Sequence, residues 1–290
     1  MTLPVMEPGL HRDLLLDWVA RIEHGPFDFL AFGERIAFDN PDVLTLMAAC
    51  AARTERVRLL TTVVVVPLHD PVLLAKQCAT IDMLSDGRLA LGVGIGGREE
   101  DYRAAGADLS RRANARLGEF VGTLRRVWAG EKVREGFLLP VGPPPVQPGG
   151  PPVLAGAMGP RAIRAAAEWA DGVSGFSWGP SEAEIVEHFS LARSAWKEAG
   201  RDSEPRLGTA FWYALGDGAR AQLQAHLRRY LNWMDPAEVN AALPATGFAG
   251  APGELRDFLR RIEDLGADEV SLVPTSADPA EVDRAAELLG

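Results

Sequence analysis

Short apolar or β-branched runs alternate with longer amphipathic stretches along the whole chain. This alternation is typical of repeated strand–helix units that form a parallel sheet. The runs with the composition of buried strands are residues 3–6, 27–32, 57–66, 88–94, 152–156, 172–176, 207–213 and 269–274. Eight such runs in a chain of 290 residues predict an α/β fold, with one (β/α)8 barrel domain over residues 1–290.

Capping residues mark the predicted helix boundaries. A polar residue followed by proline is typical of an N-cap with proline at the first helical position. Such starts are predicted at Asn40, Asp70 and Asp278. Ser181 and Glu184 have the spacing of a capping box. Glycines that favour helix ends stand at Gly87, Gly200 and Gly266.

Two segments interrupt the alternation. Residues 133–151, VREGFLLPVGPPPVQPGGP, contain too many prolines for a regular helix. They predict an insertion between the fourth and fifth strand–helix units, lying over one rim of the barrel. Residues 234–250 are expected to form a short helix followed by a loop over the site. We expect substrate to enter between the insertion and the loop around Trp178.

Charge and composition narrow the class of partner. The formal net charge is −10, so no positive field attracts nucleic acid or anionic lipid. No apolar run approaches a membrane span, and MTLPVMEPGLHRD lacks the pattern of a secretory signal. Cys50 and Cys78 lie inside apolar patterns, as expected of reduced buried thiols. We therefore expect a cytoplasmic protein with no nucleic-acid or membrane partner.

The strongest chemical signal lies in residues 56–106, which carry a strand ending in Pro67, a helix and a glycine-rich strand end. The distinctive residues of this block are Ala75, Lys76, Asp82, Leu84, Ser85, Gly87 and Arg88. Matching segments follow at residues 151–173 and 247–274, and GPFDFLAFGER lies near the start. Together these segments resemble the bacterial luciferase-like family of flavin- and F420-dependent oxidoreductases.

The resemblance implies a TIM-type barrel that holds reduced FMN or F420 across the carboxyl ends of its strands. It also implies monooxygenation or hydride transfer on a small organic substrate, a homodimer, and in some cases a separate reductase that supplies reduced cofactor. Ile95 stands where bacterial luciferase has an arginine for the FMN phosphate. Gly97 stands where F420-dependent sugar phosphate dehydrogenases have an acid. F420 is slightly favoured over FMN.

The resemblance also predicts the cofactor-binding residues. They are Thr62, Val63, Gly94, Ile95, Gly96, Gly156, Ala157, Met158, Gly159 and Arg161. Free amides at the helix start after Gly159 suit a phosphate, to which Arg161 either adds charge or remains a solvated surface side chain. A cis peptide bond is expected between Thr62 and Val63 beneath the cofactor ring, whereas outside the family TTVVVV would be an ordinary buried strand.

Glu34 is the candidate catalytic residue, because it follows the second predicted strand, where family members often have an acid or histidine. The alternative is a structural ion pair with Arg35. Trp178 is the expected aromatic wall of the substrate pocket. His69 is expected to shape a turn. The other histidines are expected to face solvent beside helices, so no metal site is predicted; they are His11, His24, His188 and His226.

Two alternatives remain open. One is a barrel that binds flavin but has lost turnover. The other is an NAD-binding Rossmann dehydrogenase, because Gly92, Gly94 and Gly97 match G-x-G-x-x-G after a strand. That match is weak, because three strand–helix units precede it and charged residues follow it. A G-x-S-x-G nucleophile motif is absent from the sequence.

Overall fold

The alternating pattern forms a barrel of parallel strands surrounded by helices. The computed structural model describes residues 1–136 and 138–289. The strands are β1 (Phe29–Phe32), β2 (Arg58–Thr61), β3 (Val64–Val65), β4 (Leu89–Gly94), β5 (Val153–Ala155), β6 (Gly172–Ser174), β7 (Arg206–Leu215), β8 (Phe248–Gly250) and β9 (Glu269–Pro274). The helices are α1 (Arg12–His24), α2 (Val43–Ala51), α3 (Pro71–Leu84), α4 (Glu99–Ala104), α5 (Leu117–Trp128), α6 (Pro160–Ala167), α7 (Glu182–Glu198), α8 (Ala219–Tyr230), α9 (Pro236–Ala242), α10 (Pro252–Asp264) and α11 (Ala280–Leu289).

Every strand pairing is parallel, and the strands follow one another around the sheet nearly in chain order. The order runs β1, β2, β4, β5, β6 and β7, with β3 beside β4 and β9 beside β7. Residues 1–3 join the two sides: the Thr2 amide donates to Leu272 O at 3.0 Å and the Leu3 amide to Ala31 O at 2.8 Å. The barrel is therefore closed between β9 and β1, as the (β/α)8 prediction requires.

Two strand predictions need correction. The predicted first strand, 3–6, is reduced to an isolated bridge between Thr2 and Ala31, because Pro4 has no amide to donate and the chain turns at Val5. The predicted strand 57–66 is split into β2 and β3 at Thr62 and Val63. The peptide bond between these two residues is cis, which confirms that prediction.

The predicted helix boundaries are largely confirmed. The Asp70 carboxylate accepts from Val72 N and Leu73 N, and Asp278 accepts from Ala280 N. The predicted cap at Asn40 is wrong, because α2 begins two residues later with Asp42 as its cap. Ser181 caps α7, but the capping box is incomplete, because the Glu184 carboxylate accepts instead from Ser177 Oγ at 2.5 Å. The three predicted glycine ends all have positive φ.

The proline-rich insertion is present between α5 and β5, but it does not cover the carboxyl ends of the strands, where the predicted substrate entrance needs it. Its described residues follow α3 along its length, from the 2.6 Å ion pair of Arg134 with Asp70 at the start of the helix to Asp82 near its end. Lys76 donates to Gly142 O, and Gln147 donates to Leu89 O at the amino end of β4. The buried Asp82 carboxylate also accepts from the amides of Val146 and Gln147. The insertion thus reaches the end of the barrel opposite the carboxyl ends of the strands.

The second irregular segment contains the expected short helix, α9. The expected loop is instead the short strand β8, which pairs with the end of β7 at Tyr213, Ala214 and Leu215. Within the described residues, no helix is both long enough and apolar enough to cross a membrane.

Candidate active site

A cavity of about 210 Å³ opens at the carboxyl ends of the barrel strands. Residues 2–6 supply one side of it, and residues at or just beyond the ends of β1, β2, β5, β6, β7 and β9 supply the rest. Of the predicted site residues, the cavity lining contains Glu34, Thr62, Val63, Gly156 and Met158. The carboxyl end of the barrel is where enzymes of this fold place their chemistry.

Val63 projects into the barrel between two glycines. A Cβ atom at Gly94 would lie 2.9 Å from Val63 Cγ2, and one at Gly156 would lie 2.8 Å from Val63 Cγ1. These distances are too short for real side chains, so both positions need glycine because of Val63. The resemblance predicted both glycines as cofactor-binding residues. The structure gives them a packing role, which is to admit the Val63 side chain.

The backbone next to Val63 is enclosed in the same way. A Cβ atom at Gly33 would lie 2.5 Å from Thr62 O, and one at Gly92 would lie 2.0 Å from Thr61 O. Thr61 Oγ1 also donates to Gly92 O at 2.8 Å. Glycines from β4 and from just beyond β1 therefore hold the floor of the cavity in place. The G-x-G-x-x-G match reflects packing inside a closed barrel, and the Rossmann alternative has no support.

Glu34 lies on the cavity wall, and its side chain is 1% exposed. His69 Nε2 lies 2.9 Å from Oε1 and 3.0 Å from Oε2 of this carboxylate, and the Val65 amide donates to Oε2 at 2.7 Å. The His69 side chain is 19% exposed. The pair therefore connects a buried carboxylate in the cavity to an imidazole that reaches solvent.

The structure adds to one expectation about this pair and rules out an alternative. His69 ends the turn at residues 66–68, as expected, and its side chain also contacts Glu34, because both residues leave neighbouring strands at the carboxyl edge. The position of both residues just after neighbouring strands is the sequence feature that could have predicted their contact. The alternative ion pair of Glu34 with Arg35 does not form. The Arg35 guanidinium instead donates to Asp101 at 2.8 Å and to Glu100 at 2.7 Å.

The aromatic wall consists of Phe176, Trp212 and Tyr230. Phe176 and Tyr230 each meet Trp212 edge-on, with ring centroids 4.5 Å and 5.7 Å away. Trp178, the predicted wall residue, is not among the lining residues. It packs against Trp212 at 5.4 Å and therefore supports the wall. Trp212 and Tyr230 were not predicted from the sequence.

A buried polar cluster lies behind this wall. His226 is 1% exposed and stacks on Tyr230 at 5.7 Å. Its Nδ1 hydrogen bonds to Glu7 at 2.5 Å, and Arg229 also contacts Glu7. The expectation that His226 faces solvent was wrong, because the imidazole fills the space between α8 and the turn after residues 1–3. His188 is half-buried and bonds to Ala157 O at 2.9 Å.

The remaining predicted cofactor residues lie around the cavity without lining it. In the loop after β4, Ile95 O accepts from the Tyr102 hydroxyl at 2.6 Å, and Gly96 O accepts from Arg112. In the loop after β5, Ala157 is buried and Gly159 is the N-cap of α6 without a side-chain bond to the helix. Arg161 is exposed on the first turn of that helix.

Charge in the cavity is sparse. Among the described residues that line it, Glu34 carries the single carboxyl group, and none is basic. Across the described part of the chain, no group of three His, Cys, Asp or Glu side chains is arranged to hold a metal ion. The site thus combines one buried carboxylate, one imidazole and an otherwise apolar cavity.

Solved structures resemble this fold closely. The monooxygenase RslO1 from Streptomyces bottropensis superposes with a TM-score of 0.78 at 25% identity, covering 99% of this chain and 96% of that one. An F420-dependent secondary alcohol dehydrogenase, in complex with an F420–acetone adduct, gives 0.77 at 19% identity over 94% and 93%. The oxygenating constituent of 3,6-diketocamphane monooxygenase from Pseudomonas putida, in complex with FMN, gives 0.71 at 17% over 99% and 94%. At 17% and 19% identity the last two show the fold alone.

Sequence comparisons identify relatives and a family for this chain. An uncharacterized protein of Mycobacterium tuberculosis is 36% identical over 168 residues, 56% of this chain and 58% of that protein. The chain thus matches little more than half the length of this relative. Residues 6–270 match the luciferase-like monooxygenase family. The predicted resemblance is confirmed, and the chain belongs to the luciferase-like monooxygenase family.

Proposed function

We propose that this protein is an oxidoreductase that uses reduced FMN or F420 to transform a small organic substrate in the barrel cavity. One observation carries the proposal: the cavity brings the Val63 floor and the buried Glu34 carboxylate together at the carboxyl ends of the strands. Structural neighbours with FMN or an F420 adduct bound support a cofactor of this kind.

The residues fit a planar ring system. Val63 offers an apolar surface, and glycines on both sides of it leave no side chain to obstruct a flat ligand. When bound, the cofactor would supply the hydride for reduction or the electrons for oxygen activation. The protein's part is to support one face of the ring with Val63, so that substrate approaches the other face, and to exclude water with the aromatic wall.

Glu34 is the group that exchanges a proton with the substrate. A carboxylate buried in the cavity wall can accept a proton from an alcohol or donate one to a newly formed hydroxyl. His69 orients the carboxylate, since it contacts both oxygens, and its exposed edge exchanges protons with water. A proton then moves between bulk water and Glu34 through the imidazole, without opening the cavity.

We assign the cofactor phosphate to the start of α6. The Gly159 N-cap leaves the first amides of the helix without a side-chain partner, and such amides bind anions. Arg161 lies exposed beside them. Arg161→Ala should weaken cofactor binding about 5- to 150-fold, the equivalent of 1 to 3 kcal/mol for a charge-assisted hydrogen bond. Arg164→Ala, one turn further along the same helix, is the matched control and should leave the affinity unchanged.

F420 remains slightly favoured over FMN. The basis is Ile95, an apolar residue where luciferase has its phosphate-binding arginine. Parallel titrations with FMN, FMNH2, F420 and F420H2, followed by turnover assays with small alcohols, ketones and oxygen, test both the cofactor and the reaction type. If FMN is the cofactor, a separate reductase is needed to supply it in reduced form. Failure to bind any of the four would contradict the proposed function.

Variants test the proton-transfer step. Glu34→Gln should lower kcat about 10²- to 10⁴-fold, the usual contribution of a general acid or base, while cofactor affinity stays close to that of the wild type. His69→Ala should lower kcat as well, and added imidazole should restore part of it. A Glu34→Gln protein with wild-type kcat would remove this carboxylate from the mechanism.

We also propose a homodimer, supported by exposed apolar side chains of α3 that the insertion leaves uncovered. Leu73, Met83 and Leu84 are 55%, 49% and 46% exposed there, and exposed apolar groups of this kind are typical of interfaces. Sedimentation should give the mass of a dimer. Replacing Leu73 and Leu84 with serine should give a monomer, whereas a wild-type monomer would contradict the assignment.

A further inference from the structure

The cavity has two sides with different chemistry. Val63 lies between β2 and β3, whereas Trp212 lies on β7, which is opposite in a closed eight-membered barrel. Both residues line the same cavity. With a ring system against Val63, as in the proposed function, the space left for substrate is the side formed by Thr2, Phe176, Trp212 and Tyr230.

Thr2 carries an unpaired polar group on this side. Met1 and Leu3 belong to the apolar core between barrel and helices, so the alternation of an extended chain directs the Thr2 side chain into the barrel. Thr2 is 4% exposed and lines the cavity. Its hydroxyl is buried and has no hydrogen-bond partner among the described residues. A buried hydroxyl without a partner is costly, so a ligand that bonds to it gains affinity.

The charge distribution limits the ligand further. Glu34 has the single carboxyl group in the described lining, and none of the described lining residues is basic. The Arg98 guanidinium, 4.5 Å from the centre of the Tyr230 ring, is not among them. A carboxylate or phosphate on the substrate would lose its hydration and face Glu34 across an apolar space. The cavity volume of about 210 Å³ also includes the space that a cofactor ring would take. Only a compact molecule fits beside a cofactor ring.

We infer that the substrate is a compact, uncharged carbonyl or alcohol compound whose oxygen hydrogen bonds to the Thr2 hydroxyl and whose apolar body packs against the aromatic wall. This rests on the proposed function for the position of the ring. Thr2 is thus a residue that determines substrate specificity, and it acts by binding and orienting one oxygen atom.

The test measures binding of paired probes to the full chain by calorimetry and ligand-observed NMR, without turnover. Benzaldehyde and cyclohexanone are the neutral probes, and benzoate and cyclohexanecarboxylate are their anionic counterparts. We expect millimolar or tighter binding of the neutral probes and at least about tenfold weaker binding of the anions, the factor that 1.4 kcal/mol produces. Equal binding of benzoate and benzaldehyde, or no binding of either, would overturn the inference.

Three variants test Thr2 itself. Thr2→Val should weaken neutral-probe binding about 2- to 10-fold, the loss expected for one neutral hydrogen bond, and Thr2→Ser should restore it. Thr54→Val is the matched control, because Thr54 is similarly buried but lies outside the cavity lining, and its hydroxyl donates to Cys50 O. It should bind probes like the wild type.

The unfolding temperature distinguishes a Thr2 hydroxyl that binds ligand from one that stabilises the fold. Because the hydroxyl has no protein partner, Thr2→Val should unfold at the wild-type temperature or above. A marked loss of stability in Thr2→Val, or unchanged probe affinity, would remove Thr2 from this role. A protein that binds the neutral probes but neither FMN nor F420 would contradict the proposed function and leave the ligand class standing.

Discussion

Adding one methyl group at Gly94 tests how the floor of the cavity is built. In Gly94→Ala the new Cβ would lie 2.9 Å from Val63 Cγ2 and 3.8 Å from Gly156 O. Val63 has little room to rotate away, because its other methyl group lies directly beside Gly156, close enough that a Cβ atom built there would be 2.8 Å from it. The valine must therefore shift together with its backbone. Overpacking of this kind costs about 1 to 3 kcal/mol in unfolding free energy.

Gly97→Ala is the matched control within the same glycine run. A Cβ atom there would meet no atom within 4 Å, and Gly97 is exposed with a backbone outside the left-handed region. Replacing such a glycine with alanine changes stability little or raises it by about 0.4 to 1 kcal/mol, because the unfolded chain loses freedom. The changes in unfolding free energy caused by the two substitutions should therefore differ in sign, or differ by more than the error of the measurement.

Urea unfolding and cofactor titration measure the two consequences. Gly94→Ala should have a lower unfolding free energy and a weaker affinity for whichever cofactor the wild type binds, because the surface beneath the ring moves. Gly97→Ala should change neither. If the run were a dinucleotide-binding loop, Gly94 would approach the pyrophosphate and Gly97 would allow close packing of the following helix, so both variants would be impaired. Equal behaviour of the two variants would refute the packing argument.

Other regions of the chain give further predictions. Burial raises the pKa of Cys50 and Cys78 to about 12, so at about pH 8 iodoacetamide should label neither thiol until the protein unfolds; native labelling seen by mass spectrometry would contradict this. Burial alone would raise the pKa of Glu23, but the amides of residues 55–57 together lower it. Its stabilising effect is therefore present above the usual glutamate pKa and lost as pH falls through the lowered value, so Glu23→Gln should flatten the acid limb of unfolding free energy against pH. Asp82→Ala removes the acceptor for three hydrogen bonds from residues 146 and 147. It should lower the unfolding free energy by about 2 to 5 kcal/mol and expose the insertion to limited proteolysis, and resistance equal to the wild type would refute that role.

The alternation of apolar runs and amphipathic stretches in the sequence predicted most of the barrel strands. β9 has the predicted bounds, and β4 differs by one residue, because both are apolar runs with clear ends. β8 was not predicted, because its three residues, which end in glycine, are too few to show a hydrophobic pattern. Its pairing depends on the exceptional length of β7, ten residues from Arg206 to Leu215, which extends beyond the barrel to reach it.

The site was harder to predict, because it depends on which face of a strand points inward. Along β7 nine consecutive residues are buried, as is usual for a parallel strand covered on both sides, so alternation cannot distinguish inward Trp212 from outward Phe211. Tyr230 comes from the end of α8, and His69 lies 35 residues from Glu34. Family resemblance located the glycines and the cis bond, but contacts between distant segments required the fold.

The insertion shows how one buried group decides the position of a whole loop. Its prolines and glycines predicted an irregular segment but carried no information about which end of the barrel it covers. Asp82, at the end of α3, is completely buried and has no cation among its hydrogen-bond partners. A buried carboxylate without donors is strongly unfavourable. The insertion supplies those donors from Val146 and Gln147, and this contact holds its later residues at the amino end, while Arg134 contacts Asp70 at the other end of α3. No described residue of the insertion lines the cavity. Residues 2–6, Met158 and Tyr230 line the cavity, and substitutions there, rather than in the insertion, should alter substrate selection.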